Sequence, residues 1–296
     1  MKAPAITLTV AIVLGAWTRA AQQAPGLNTA AIDKALGLTG QMQGDVYRVG
    51  MPRTDLSVTV HGIAIKPGLA LGSWAAFRRA DTRAVVHGDL VLTESEIDPV
   101  ISRLEESGLQ ITAVHNHLLG ETPRLMYVHY WGEGEEGALA RNVRMALAAS
   151  KTPFTAAPAP APGAPPVDPG FDVDAVQKAL GKTGTVRGGV LGVSVPRPEK
   201  ISMMGVDLTP AMGMATALNF QSAGNGKVAA TGDFVMIDSE VNPVAKALRA
   251  HGVGITSLHN HMLHGTPVLY FMHFWIEDSP QNVGAGLRAA LDLLAK

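Results

Sequence analysis

HNHLLGETPRLMYVHYW, residues 115–131, returns 144 positions later as HNHMLHGTPVLYFMHFW, residues 259–275. Widening the comparison to residues 88–131 against 232–275 leaves about 20 identities in 44 positions without a gap. Chance would leave only a few, so the chain is a tandem duplication. The same offset aligns residues 31–37, AIDKALG, with residues 175–181, AVQKALG. Between these anchors the copies slip by one residue near Phe77 and Phe220, as a difference in loop length would cause.

Each copy reads as one α+β domain. A short helix is expected at residues 29–36, and again at 173–180. Strand-like segments follow at residues 45–51, 57–65, 73–78 and 83–92. Residues 94–107 carry Ile97, Val100, Ile101 and Leu104 at helical spacing, with Pro99 near the start and Gly108 as a stop. Two strands, residues 110–117 and 124–131, form a hairpin around Pro123, and residues 135–149 close the copy as a helix. Copy two repeats this and ends on a helix at residues 281–294. The expected class is α+β: two tandem copies, each a largely antiparallel sheet with helices packed on one face.

Outward from the repeats, the flanking segments have other compositions. Lys2, an uncharged apolar run over residues 3–17 and small residues near Ala20 read as a signal peptide, residues 1–22. That run is shorter than the roughly 20 residues needed to cross a bilayer. An exported chain, periplasmic or secreted, is therefore expected, with no stable membrane span after signal removal. Residues 23–152 form repeat domain 1 and residues 171–296 repeat domain 2. Between them, residues 153–170 (PFTAAPAPAPGAPPVDPG) form a Pro/Ala-rich, semi-rigid linker. Net charge is -1, which excludes a nucleic-acid footprint. There is no cysteine, so thiolate metal sites, a catalytic thiol and disulfides are excluded. Any metal must be held by His, Asp, Glu, Met or backbone oxygen.

The hairpin supplies such ligands. Alternation puts Ile111, Ala113, His115 and His117 on one side of their strand. A return through the Thr-Pro turn sets His115 opposite Tyr127, with His129 diagonal on the same face. His115, His117 and His129 then converge in copy one, and His259, His261 and His273 in copy two. Three imidazoles with an open fourth position is the catalytic zinc pattern. Copper or another divalent transition metal is the weaker alternative. Asp89 and Asp233, ending strand-like runs in Gly-Asp, are candidates to fix a histidine tautomer. Glu96 and Glu240 open helices, where capping is the favoured role and acid–base chemistry the alternative. Glu121 and His264 differ between copies and mark copy-specific candidates. Arg53 and Arg197 could bind an anionic ligand, with a solvated loop position the favoured reading. His61 and His87 have no histidine counterpart in copy two and stay outside the expected site. The bland alternative is that the histidines are hydrogen-bonded members of an ordinary hairpin.

The repeated segments GDLVLTESEIDPV…HNHLLGETPRLMYVHYW and GDFVMIDSEVNPV…HNHMLHGTPVLYFMHFW resemble the LppY/LpqO family of exported bacterial proteins, a domain-of-unknown-function family. The resemblance covers nearly the whole mature chain and implies export. Some members of that family are lipoproteins, and this chain departs from them in having no cysteine. It brings no activity with it. Three functions are open at this point. One is a metal-dependent protein, with hydrolysis as the candidate reaction. Another is a non-catalytic module binding a small ligand or protein between paired repeats. The third is a periplasmic metal carrier or sensor.

Overall fold

A computed structural model describes residues 26–155 and 167–295. The expected signal peptide and the middle of the linker lie outside the described residues. Copy one runs α1 (Thr29–Leu36), β1 (Gln41–Gln43), β2 (Val46–Pro52), β3 (Thr59–Val60), β4 (Ile63–Ala64), α2 (Pro67–Ala70), β5 (Gly72–Ala80), β6 (Arg83–Thr93), α3 (Glu94–Glu106), β7 (Gln110–His115), β8 (Glu121–Thr122), β9 (Leu125–Gly134) and α4 (Glu136–Leu147). Copy two runs α5 (Val173–Leu180), β10 (Thr185–Arg187), β11 (Val190–Pro196), β12 (Ile201–Met203), β13 (Val206–Leu208), a 3-10 turn (Pro210–Met212), β14 (Ala215–Gly224), β15 (Lys227–Met236), α6 (Asp238–Ala250), β16 (Gly254–His259), β17 (Gly265–Thr266), β18 (Tyr270–Asp278) and α7 (Pro280–Leu291).

Each copy builds a six-stranded antiparallel sheet, in the order β1-β2-β5-β6-β9-β7 and β10-β11-β14-β15-β18-β16. Period-two alternation divides each sheet into two faces. On β6, Ala84, Val86, Leu90 and Leu92 join the helices in one core. Val85, His87, Asp89 and Val91 point the other way. Copy two has the same helix-side core, built on Phe220, Phe234 and Phe274.

The second face of each sheet packs against the other copy. Val46, Trp74, Val85 and Trp131 of copy one share a core with Ile201, Met203, Met212 and Phe271 of copy two. On the opposite flank Val58, Leu69, Val91 and Tyr127 pack with Val190 and Trp275. Polar links cross the same boundary. Asn219 donates to the Leu69 carbonyl at 3.0 Å, Gln221 to the Ala64 carbonyl at 2.8 Å, and Lys66 Nζ to the Gly189 carbonyl at 2.9 Å. The layers are therefore helices, sheet, sheet, helices. The expected pairing of repeats is present, and it buries the two histidine-bearing faces between them.

Several local expectations are corrected. Residues 57–65 are not one strand but the two-residue strands β3 and β4 around a tight turn, with His61 at φ +49°. Together with β8 they make a small separate sheet. β7 stops at His115, so His117 sits in the loop beyond it. The pairing of β7 with β9 slips between Ile111 and Ala113, a bulge that inserts one residue. Ile111 therefore faces the helices, while His115 faces the other copy. Without that bulge Ile111 and His115 would share a face. The same slip recurs between Ile255 and Ser257.

Arg53 and Arg197 are not solvated. Arg53 is fully buried and forks onto Glu96 and Asp55, with a further bond to the Val91 carbonyl at 2.7 Å. Arg197 does the same with Glu240, Glu199 and the Val235 carbonyl. Glu96 also accepts from the Thr93 and Lys151 N–H groups, and Glu240 from those of Ile237 and Ala295. Each glutamate thus ties a helix start to the segment after the last helix. Burial alone would raise these carboxyls. The arginine and backbone donors outweigh it and hold both below the usual carboxylate range. Capping and cross-linking are their roles in the fold, and acid–base work beside the histidines is not what their bonds indicate.

Candidate metal centre

The six expected histidines meet in one place. β9 carries His129 and β18 carries His273, each directly opposite an aspartate on the neighbouring strand: Asp89↔His129 and Asp233↔His273. Both aspartates lie in the middle of long strands, not at strand ends as the Gly-Asp reading suggested. The edge strands β7 and β16 deliver His115 and His259 at their last residues, and the following loops deliver His117 and His261. Sheet pairing then stacks the rings in three cross-copy pairs. Centroids are 3.6 Å apart for His115–His259, 3.9 Å for His117–His273 and 3.8 Å for His129–His261. These pairs obey a pseudo-twofold axis through the first of them. The expectation of one separate site inside each copy gives way to a single cluster shared by both.

Two sets of ligand atoms lie within 4.8 Å of one another. One is His115, His117 and His129. The other is His115, His259, His261 and His273, so it spans the boundary between the copies. His264, by contrast, is exposed in a turn at φ +53° and joins neither set. Glu121 is buried in β8, where one oxygen accepts from the Leu125 N–H at 3.2 Å and the other has no partner. It also lies outside both sets. The two copy-specific candidates are thus not part of the cluster.

Hydrogen bonds define the tautomers. A backbone carbonyl can only accept, so a ring nitrogen bonded to one must carry the proton. His273 Nδ1 donates to the Gly232 carbonyl at 2.8 Å, and His115 and His259 Nδ1 make longer bonds of 3.4 and 3.3 Å to the carbonyls of Asn116 and Asn260. In these three rings the lone pair is therefore on Nε2. That atom is buried without a partner in all three, as it is in His117, His129 and His261. Six inward imidazole nitrogens share one polar, unsatisfied interior, a situation folded proteins rarely leave unused.

The aspartates face the same nitrogens. Asp89 lies 3.9 Å from His117 Nε2 and 3.8 Å from His129 Nε2, and Asp233 lies 3.9 Å from His261 Nε2 and 4.0 Å from His273 Nε2. These distances are too long for hydrogen bonds. Two ligands each about 2.0–2.2 Å from a common ion stand at most about 4.4 Å apart, and about 3.4 Å apart in a tetrahedral site, so an ion between them would draw each pair closer. A tautomer-fixing carboxylate would instead sit at the Nδ1 side, where backbone carbonyls already do that work for His115, His259 and His273. Asp89 and Asp233 thus face the cluster from the Nε2 side, although neither belongs to either set of ligand atoms.

Electrostatics agree with neutral, ligand-ready rings. Burial, then the proximity of His259, pushes His115 down to about 3, and burial pushes His259 down to about 4. His117, His129, His261 and His273 are held well below the ordinary histidine value by burial and by one another. Burial raises Asp89 to about 8 despite the pull of Arg48, and raises Asp233 well above the carboxylate range. His87, which the sequence comparison left out, is fully buried and its ring lies 5.7 Å from that of His129. Its Nδ1 donates to the Tyr130 carbonyl at 3.1 Å, as the Thr231 hydroxyl donates to Phe274, and burial lowers it to about 4. Only the in-out alternation of β6, which puts His87 and Asp89 on one face, could have flagged it.

These shifts set a pH optimum for the metal-free protein. Five buried histidines and the half-buried His117 and His259 have folded values below the unfolded value of about 6.5, so they cost stability as pH falls below it. Two aspartates have raised folded values, so they cost stability progressively as pH rises above the unfolded value of about 3.9. Thermal melts of metal-free protein should peak near about pH 7, with the acid side steeper because more groups act there. A melting temperature that rises between pH 6 and pH 5 would show that the rings are not buried neutral.

Between the two sheets, adjoining the histidines, lies a cavity of about 420 Å³. Asp89, Asp233, His117, His129, His261 and His273 border it. So does Arg48, whose guanidinium sits 3.9 Å over the Trp74 ring and donates to the Ala211 carbonyl at 2.7 Å. Burial lowers Arg48 to about 10, against the opposing influence of Asp89, so it stays charged at neutral pH.

A family model described as Domain of Unknown Function (DUF1259) matches residues 30–149 and again residues 174–293. Compared with curated proteins, the chain matches none. Among solved structures it is similar to EtuB from Clostridium kluyveri, at 10% identity and a TM-score of 0.20, and to a trimeric bacterial microcompartment shell protein, PduB, at 10% identity and a TM-score of 0.21. Each likeness covers 86% of this chain and 89% of the other. Likenesses this slight carry nothing over to the chain.

Proposed function

The chain belongs to the family described as Domain of Unknown Function (DUF1259), in two tandem copies, and from that premise we propose that the paired copies form one shared centre for a divalent transition metal, zinc foremost. Its nitrogen ligands come from the sets His115, His117, His129 and His115, His259, His261, His273, with Asp89 and Asp233 as the nearest oxygen donors. The observation that carries this reading is the set of six buried Nε2 atoms without a partner, three of them in rings whose Nδ1 proton is committed to a backbone carbonyl. That is how ligating histidines are oriented in known metal sites. Borderline nitrogen and oxygen donors with no thiolate suit zinc.

A metal ion here supplies a Lewis acid at the edge of the 420 Å³ cavity. The chain's own part is to keep the imidazoles neutral by burial, to orient them through backbone carbonyls, and to hold two carboxyls ready to ionise. An adjoining cavity suits a centre that meets a small molecule, such as a metal-dependent hydrolase, better than a closed carrier site. Export and closer kinship with the LppY/LpqO proteins are part of the same proposal. They rest on the N-terminal apolar run and on the repeated His-Asn-His, Thr-Pro and His-x-Trp pattern.

The test is metal analysis of protein prepared without a histidine tag, followed by calorimetric zinc titration at pH 7 in buffers of different ionisation enthalpy. Stoichiometric zinc is expected, with proton release where an aspartate is engaged, because burial raises both carboxyls. Protein that takes up no zinc would overturn the reading. Zinc uptake without proton release would remove the aspartates from the ligand set.

A further inference from the structure

Duplication makes the histidines symmetric, but the wall of the cavity beside them is one-sided. Arg48 on β2 occupies the position that Gly192 occupies on β11, since Gln41 pairs with Arg48 as Thr185 pairs with Gly192. Trp74 on β5, opposite Asp89, corresponds to Ala217 on β14, opposite Asp233. One wall therefore carries a cation on an aromatic shelf, and the other is cut back to glycine and alanine. Among the side chains bordering the cavity, Arg48 alone carries a permanent positive charge.

Arg48 is also held in place. Trp74 supports its guanidinium plane, and the Ala211 carbonyl in the 3-10 turn of copy two accepts one of its N–H groups. Gly213, at the end of that turn, approaches so closely that a Cβ there would lie 3.2 Å from the Trp74 ring. Copy two thus clamps the arginine from outside while leaving the cavity in front of it open. Gly50 stands two residues along β2 on the same face. A Cβ there would meet nothing within 4 Å.

We propose that this cavity binds a small oxyanionic molecule, carboxylate or phosphate, with its charged group on Arg48 and its other end toward the histidine cluster. A planar guanidinium with donors in a fixed fork is the side chain best matched to either group. The cavity volume is in the range of small-ligand sites. The asymmetry is what a ligand with two unlike ends would require, and it has no role in a metal site that needs only the symmetric histidines. The orientation toward the cluster rests on the metal reading above. The Arg48 contact does not.

The experiment titrates zinc-loaded, tag-free full-length protein with inorganic phosphate and, separately, with succinate, by calorimetry and by tryptophan fluorescence. Saturable binding of at least one probe at one per chain is expected, and the stronger probe distinguishes a tetrahedral from a planar anion. Arg48→Met should weaken it tenfold or more while zinc content stays at the parent level. Gly50→Leu, on the cavity wall opposite Trp74, should weaken it by occupying the space, and it carries the test if Arg48→Met does not fold. Absence of binding by both probes, or equal binding by Arg48→Met, overturns the proposal while leaving the metal reading intact. If the chain takes up no zinc, the metal reading fails and the same titrations on metal-free protein decide the Arg48 subsite alone.

Discussion

Alanine in place of His115 is expected to weaken the proposed metal centre as a whole, not the half contributed by one copy. His115 is the one ring common to both ligand sets, and it stacks on His259 at the pseudo-twofold axis. Removing it takes a nitrogen from each set and opens the middle of the cluster. Losing an outer-shell partner of a metal ligand already costs about 10–100-fold in affinity, so loss of this ligand should cost on the order of 100-fold or more. Dialysed His115→Ala protein should retain clearly less zinc than the parent, because only His259, His261 and His273 remain as a set, and adding His259→Ala should remove almost all of it. His259→Ala should retain more, because it leaves two three-histidine sets, His115 with His117 and His129 and His115 with His261 and His273, where His115→Ala leaves one. His264→Ala should match the parent, being exposed and outside the cluster. Two independent sites predict a different result: half the metal left in His115→Ala and half in His259→Ala.

The second large effect is on stability and lies away from the centre. Arg53→Ala should destabilise the fold by roughly 3–5 kcal/mol, the usual cost of leaving a buried charge uncompensated. Arg53 is fully buried, and Glu96 beside it is nearly so. Without the guanidinium, Glu96 keeps its bonds to the Thr93 and Lys151 N–H groups but loses its only counter-charge. The Val91 carbonyl also loses its donor. In urea melts the midpoint should fall clearly, and the melting temperature by roughly 10 °C. Adding Glu96→Gln to Arg53→Ala should recover part of the loss, because the stranded charge is then gone. A loss below about 1 kcal/mol would place Arg53 with ordinary surface ion pairs.

Much of this molecule was legible as a string. The 144-residue repeat follows from identities alone, and it carries the duplicated fold with it. The helices at Thr29–Leu36 and Val173–Leu180 lie where the apolar spacing puts them. The hairpin register that sets His115 opposite Tyr127 also matches the pairing found. These features are local: spacing, turn chemistry and alternation act within a few residues, so the sequence displays them directly.

What the tertiary structure alone decided depends on contacts between distant segments. That Arg53 is buried, not solvated, follows from Glu96 reaching it across 43 residues. That Asp89 faces His129 Nε2, not its Nδ1, follows from how β6 lies beside β9. That six histidines make one centre and not two follows from the copies burying their inner faces against each other, which no spacing within either copy encodes. Burial is the common physical reason. Periodicity along the chain tells which side of a strand is apolar, but only packing determines what covers the other side and which unpaired nitrogens end up sealed there together.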